Sequence, residues 1–178
     1  VEKSATDNPN SYKLILTPDK NDVSAGDKIT YTVSLYHEDG NDTDDVSGLV
    51  FNVAENTGLL LDKDNSKGEN GVTFGKRTDN GLYEFNFVKG TQLNLKNSMK
   101  IGTLVYTVQD YGNDFDKVDV KAVDGSAYVT NSGYGSKLAA LSLDNGDVTY
   151  HEIQLTFTPA EGDASVYYAR YDQTGLYK

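Results

Sequence analysis

The feature that most constrains this chain is a period of two. In 28–36 (KITYTVSLY), Ile29, Tyr31, Val33 and Leu35 fall on one face, with Lys28, Thr30, Thr32 and Ser34 on the other. In 82–88 (LYEFNFV), Tyr83, Phe85 and Phe87 stand together, opposite Glu84 and Asn86. Successive side chains of a strand leave opposite faces, so such a run covers a core on one side and meets water on the other. The same grammar, closed by Gly, Asn and Asp turns, predicts strands at 11–17, 28–36, 48–54, 71–77, 82–88, 99–108, 117–123 and 147–157. A short strand or edge turn is expected at 59–61. Strands at this spacing, without a helical period, predict an all-β fold: an antiparallel β-sandwich of about nine strands, of jelly-roll type. The one helical candidate, SKLAAL (136–141), is too short to stand as a helix alone.

At 178 residues the chain is the size of one domain, large enough to bury a full core without staples. We assign the sandwich to 11–157 and read the polar, aperiodic 1–10 (VEKSATDNPN) as a linker or frayed end. Residues 158–178 carry four of the thirteen tyrosines and read as a tail, a connector or the start of a following module. The first residue is Val1, and we expect the chain to be a piece of a longer protein whose export signal lies outside it.

Charge removes several function classes. Sixteen basic residues stand against 27 acidic ones, a net charge of −11, which repels nucleic acid and disfavours anionic membrane surfaces. No apolar run approaches the roughly 18 residues that span a bilayer, so membrane insertion is not expected. Acidity of this kind keeps an exported protein in solution. With no cysteine there are no disulfides, no thiolate metal sites and no cysteine nucleophile.

The search for chemistry is equally restrictive. His37 and His151 lie far apart, fit no ligand or triad spacing, and read as surface residues. Carboxylates abound, yet no pair is marked out as the acid and base of a glycosidase. No catalytic residue is assigned, and the chain is read as a non-enzyme without a cofactor. Calcium is the one metal worth weighing, because hard cations take oxygens from alternating loop positions. Asp62, Asp64 and Ser66, or Asn113, Asp114 and Asp116, imitate the start of such a loop but lack the glycine and glutamate that complete an EF-hand, so no metal site is expected. Sugar-binding modules stack pyranose faces on exposed aromatic rings. The chain has no tryptophan, which leaves Tyr128 and Tyr134, in a stretch (126–135) read as a loop, as the carbohydrate-binding candidates.

The order of these elements resembles a cohesin module, the scaffold half of the cohesin–dockerin pair of bacterial cell-surface glycanase complexes. KLILTPDKNDVSAGDKITYTVSL (13–35) is similar to the opening strand pair, joined through a turn at Gly26-Asp27. VSGLVFNVAENTGLLLDKD (46–64), MKIGTLVYTV (99–108) and SLDNGDVTYH (142–151) resemble later strands of the family. Ala54-Glu55 stands where the family has Tyr-Asp. The resemblance implies a secreted or cell-surface module that binds a dockerin-like partner within a polysaccharide-degrading complex. The alternative is a carbohydrate-binding or adhesin module of the same fold.

The resemblance also implies a docking face made by the strands at 48–54, 71–77, 82–88 and 117–123. Alternation then selects its outward residues: Val50, Asn52, Glu84, Asn86, Asp119 and Lys121, with Arg77 at a strand end nearby.

Overall fold

Most of the alternating runs become strands with the expected faces. The computed structural model describes residues 12–37, 46–54, 58–93, 98–109, 118–131, 137–151, 155–157, 167–172 and 175–177. Among them the strands are, in chain order, β1 (Tyr12–Pro18), β2 (Asp22–Ser24), β3 (Lys28–His37), β4 (Val46–Val53), β5 (Leu59–Leu61), β6 (Lys67–Gly68), β7 (Thr73–Lys76) and β8 (Tyr83–Leu93). They continue as β9 (Ser98–Val108), β10 (Ala122–Asn131), β11 (Lys137–Ala140), β12 (Ser142–Asn145), β13 (Thr149–His151), β14 (Leu155–Phe157), β15 (Tyr167–Asp172) and β16 (Gly175–Tyr177).

Two sheets form the sandwich. One runs β12-β1-β3-β9-β5, with the two-residue β6 also on β9; the other runs β11-β10-β4-β8-β7. Pairing is antiparallel except where β1 meets β12 and β2 meets β13, which run parallel. The tail strands β15 and β16 form an antiparallel meander on β14.

The core lies between the two sheets. From one come Leu14, Leu16, Ile29, Val33, Leu35 and Leu104, and from the other Leu49, Phe51, Phe85 and Val129, all but sealed from solvent. Phe51 and Phe85 pair across β4 and β8 with centroids 5.9 Å apart, and Phe74 tilts onto Phe85 at 4.9 Å. Burying each of the Phe51 and Phe85 rings contributes about 1.5–3 kcal/mol before chain entropy is set against it. Packing is so close at Gly102 of β9 that a Cβ there would lie 2.3 Å from the Lys67 carbonyl oxygen and 2.4 Å from the Phe85 ring.

The structure departs from the sequence reading in identifiable places. Val118 and Val120 face the core as alternation requires, yet 118–121 is not a ladder strand. Its backbone is satisfied elsewhere. The Val118 amide donates to the Val148 carbonyl at 2.9 Å, and the Asn145 side chain caps both the amide and the carbonyl of Val120 at 3.0 Å. The sheet strand starts later, at Ala122, and takes up most of the stretch read as a loop. Within SKLAAL, Lys137–Ala140 pairs with β10 as a strand rather than forming a helix, because a neighbouring ladder satisfies four residues that could not stabilise a helical turn. His37 is not a surface residue. It ends β3, is 2% exposed, and stacks on Tyr12 with ring centroids 3.9 Å apart. The expected strand at 147–157 divides into β13 and β14, with 152–154 outside the described residues. The linker 1–10, Asn113, Asp114, Asp116 and Tyr134 also lie outside them.

Candidate partner-binding face

The five-stranded sheet turns its apolar residues inward, which leaves every second position of β4, β8 and β10 on the outer face. Register assembles these positions into rows. Tyr128 of β10 is opposite Val50 of β4, Val50 is opposite Asn86 of β8, and Asn86 is opposite Thr73 of β7. Tyr128, Val50 and Asn86 are half-buried, and Thr73 is exposed. The Thr73 hydroxyl donates to the Asn86 carbonyl at 3.1 Å, which ties the end of the row together. Beside it runs a shorter row in which Asn52 is opposite Glu84 and Glu84 opposite Gly75. On the far side Gly48 leaves room next to Thr130, whose hydroxyl lies 3.5 Å from where a Cβ would stand.

The electrostatics of the second row are set by one carboxylate. Glu84 accepts from the Asn86 side-chain amide at 3.2 Å and faces the Arg77 guanidinium at 3.5 Å. Arg77 makes its shorter contact with Asp79, 2.7 Å away. Asp79 and then Glu84 hold the guanidinium's proton more tightly than usual, and Arg77 in turn pulls the Asp79 carboxyl below its ordinary range. The Arg77–Asp79 pair is solvent-accessible and sets orientation more than stability, while the Glu84 carboxylate is mostly covered.

The face therefore gathers Val50, Asn52, Glu84 and Asn86, with Arg77 just beyond β7. It adds Tyr128, which the sequence reading had placed in a separate loop. The strand AYVT did carry the signal, Ala127 and Val129 inward against Tyr128 and Thr130 outward, but neighbouring Gly, Ser and Asn residues disguised it. Asp119 and Lys121 do not join the rows. They precede β10 and line an open hollow of about 600 Å³ between the β10 and β12 edges, with Asp124 and Asp144.

Asn52 corrects a further expectation. Read as solvent-facing, it is 6% exposed, and its side-chain oxygen is buried with no hydrogen-bond partner among the described residues. It stands where β10 bulges. Ala122 pairs with Val53 and Ala127 with Phe51, so residues 123–126 share the length of β4 that Asn52 alone occupies. A 2.6 Å bond from the Ser126 hydroxyl to the Val123 carbonyl closes the bulge. Alternation gives the direction of a side chain but not what a bulge places beside it.

The calcium candidate at Asp62 is occupied by protein donors. Its carboxylate accepts from Lys28 at 2.9 Å and from the Asn65 side chain at 2.8 Å, contacts that draw its pKa down to about 2. Ser66 is buried, donating to the Asp62 carbonyl at 2.8 Å and accepting from the Val105 amide at 2.9 Å. Among the described residues no group of three or more His, Cys, Asp or Glu side chains is placed to hold a metal, and no helix is long and apolar enough to cross a membrane. His151 is exposed and meets Asp22 at 2.9 Å, joining β13 to β2.

No family model matches the sequence, and no curated protein matches it. Solved structures do. The cohesin module of a family 33 glycoside hydrolase from Clostridium perfringens superposes with a TM-score of 0.56 at 11% identity, over 81% of this chain and 99% of that one. The sixth cohesin of scaffoldin B from Acetivibrio cellulolyticus, solved in complex with a Cel5 dockerin, gives 0.54 at 17% identity, over 79% and 99%. The seventh ScaB type I cohesin from Pseudobacteroides cellulosolvens gives 0.51 at 12% identity, over 86% and 98%. Each is matched over nearly its whole length, so the likeness covers an entire module rather than a shared motif. The chain has the cohesin fold.

Proposed function

We propose that this domain is a non-catalytic scaffold module that captures a dockerin-like protein on the outer face of its five-stranded sheet, outside the cell or at the bacterial surface. The observation that carries the reading is the row Tyr128–Val50–Asn86–Thr73, an apolar and aromatic centre ending in polar groups, on a cohesin-fold sheet. A central hydrophobic contact ringed by hydrogen-bonding groups is the arrangement in which few residues dominate a reversible interface. Val50 and Tyr128 would supply the desolvated centre, Asn86 and Glu84 the polar contacts, and Arg77 a charge at the rim. Asp119 and Lys121 lie off this face and would act at its margin. The likeness to cohesin modules of scaffoldins supports the extracellular setting.

The test is capture of dockerin-bearing enzymes by the purified domain. Val50→Asp and Tyr128→Ala should each weaken capture at least tenfold, about 1.4 kcal/mol, with little change in melting temperature. Capture that survives both substitutions places the interface elsewhere. Tyr128 also supports a second reading, since a half-exposed ring on a sheet face is a stacking platform for a sugar. Retardation in gels containing soluble glucans, xylans or mannans, lost in Tyr128→Ala, would favour that reading over protein capture.

A further inference from the structure

The two sheets part at the edge where β5 faces β7 and the start of β8, leaving a cavity of about 380 Å³. Leu59, Leu61 and the buried Tyr106 line it from one sheet, and Val53 and Tyr83 from the other. The Tyr83 ring is stacked on Phe74, centroids 5.6 Å apart, which holds it in place as a wall. Leu60, beside it, is 52% exposed, the one exposed large hydrophobic among the described residues. Protein interiors otherwise close to crystal density, so walls that do not meet leave dispersion contacts unmade on both sides. The volume lies within the range of small-molecule sites, which combine apolar walls with a few placed polar groups.

One charge marks the lining. Lys76, the last residue of β7, brings its only ionised side chain, and its ammonium has no ion pair among the described residues. Lys28, Lys63, Lys67 and Lys100 each meet a carboxylate, whereas Lys76, like Lys20 and Lys121, meets none among the described residues; of these three only Lys76 stands at an apolar cavity. An unpaired cation beside an apolar opening, on a chain of net charge −11, selects an anion with an apolar body. A free sugar fits poorly, because the leucine and valine walls cannot satisfy its hydroxyls.

We propose that this cavity binds a small amphipathic anion, a carboxylate carried on an aromatic or alkyl body, with the carboxylate on Lys76 and the body between Leu59, Leu61 and Tyr83. The site is separate from the outer sheet face, and its occupancy does not depend on dockerin capture.

Titrating the whole chain with 4-phenylbutyrate and with its uncharged primary amide, followed by amide-resolved NMR, tests this. The acid should shift Leu59–Leu61, Lys76 and Tyr83 in a saturable way at millimolar concentration, and the amide should bind roughly tenfold more weakly. Lys76→Met, an exposed position that keeps the spectrum of the folded domain, should bring the acid down to the affinity of the amide. Equal binding of acid and amide overturns the proposal. So do an acid affinity unchanged in Lys76→Met, saturable shifts centred away from these residues, or no saturation of either probe.

Discussion

Replacing Ser66 with alanine removes a single hydroxyl that completes a ladder. On the outer side of β9, β5 pairs as far as Leu61 opposite Tyr106, and the Asp62 amide then donates to the Val105 carbonyl at 2.8 Å. The chain turns away over 62–66 before β6 resumes with Lys67 opposite Thr103. The Val105 amide, on the same side as its carbonyl, would face this gap without an acceptor; the Ser66 hydroxyl takes that place at 2.9 Å. Ser66 is 7% exposed and Val105 8%, so water is a poor substitute. An orphaned buried amide costs about 1–3 kcal/mol. At about 2–4 °C of melting temperature per kcal/mol for a domain of this size, Ser66→Ala should melt several degrees lower. Hydrogen exchange gives the specific readout, with Val105 protected in the parent and accelerated in the variant. Ser66→Thr keeps the hydroxyl and should keep the protection, and Asn65→Ala, which loses only one exposed side-chain hydrogen bond, should change stability by less than about 0.5 kcal/mol. A Ser66→Ala domain as stable as the parent, with Val105 still protected, would refute the argument.

Three further outcomes follow from other positions. Asn52→Leu should be neutral or stabilising by about 1 kcal/mol, since the side-chain oxygen it removes is buried without a partner among the described residues, whereas Asn52→Asp should destabilise by placing a charge there; urea titration of the two decides, and a less stable leucine variant counts against the reading. Gly102→Ala should cost about 1–3 kcal/mol or more through its clash with the Lys67 carbonyl and the Phe85 ring, while Gly75→Ala, with open space around it, should be close to neutral in the same thermal melts; equal effects would contradict the packing described. Asp62, depressed in the folded state mainly by its Lys28 hydrogen bond, contributes stability that is complete above its unfolded pKa and is lost as pH falls from 3.8 towards about 2. In Lys28→Met the Asp62 titration followed by carboxyl NMR should move upward, and an unmoved titration would exclude the lysine as the main cause.

Local pattern made the sheets legible. Ile29, Tyr31, Val33 and Leu35, read from alternation alone, are all fully buried, and so is Phe85. What local pattern does not carry is the partner of each backbone group. Whether Val120 joins a ladder or is capped by Asn145 depends on a side chain 25 residues away, and whether Asn52 meets water depends on a bulge in a different strand. For the same reason the face was partly legible. Val50, Glu84 and Asn86 follow from the period of two, but Tyr128 takes its place beside Val50 only through the register of β10. Asp119 and Lys121 kept the right alternation and lost the right strand.

The parallel pairing of β1 with β12 has a mechanical consequence. Lys13 to Leu16 lie in register with Ser142 to Asn145, both strands running the same way, and β2 repeats the arrangement against β13. Tension that enters ahead of Tyr12 and leaves beyond His151 pulls these paired strands in opposite directions along their own length. Their hydrogen bonds are then loaded in shear and must fail together, whereas an antiparallel terminal pair would peel apart one bond at a time. Single-molecule pulling would show this as one abrupt high-force rupture rather than a low-force unzipping. A domain pulled through these two points would in this way resist tension along the axis of its own paired strands.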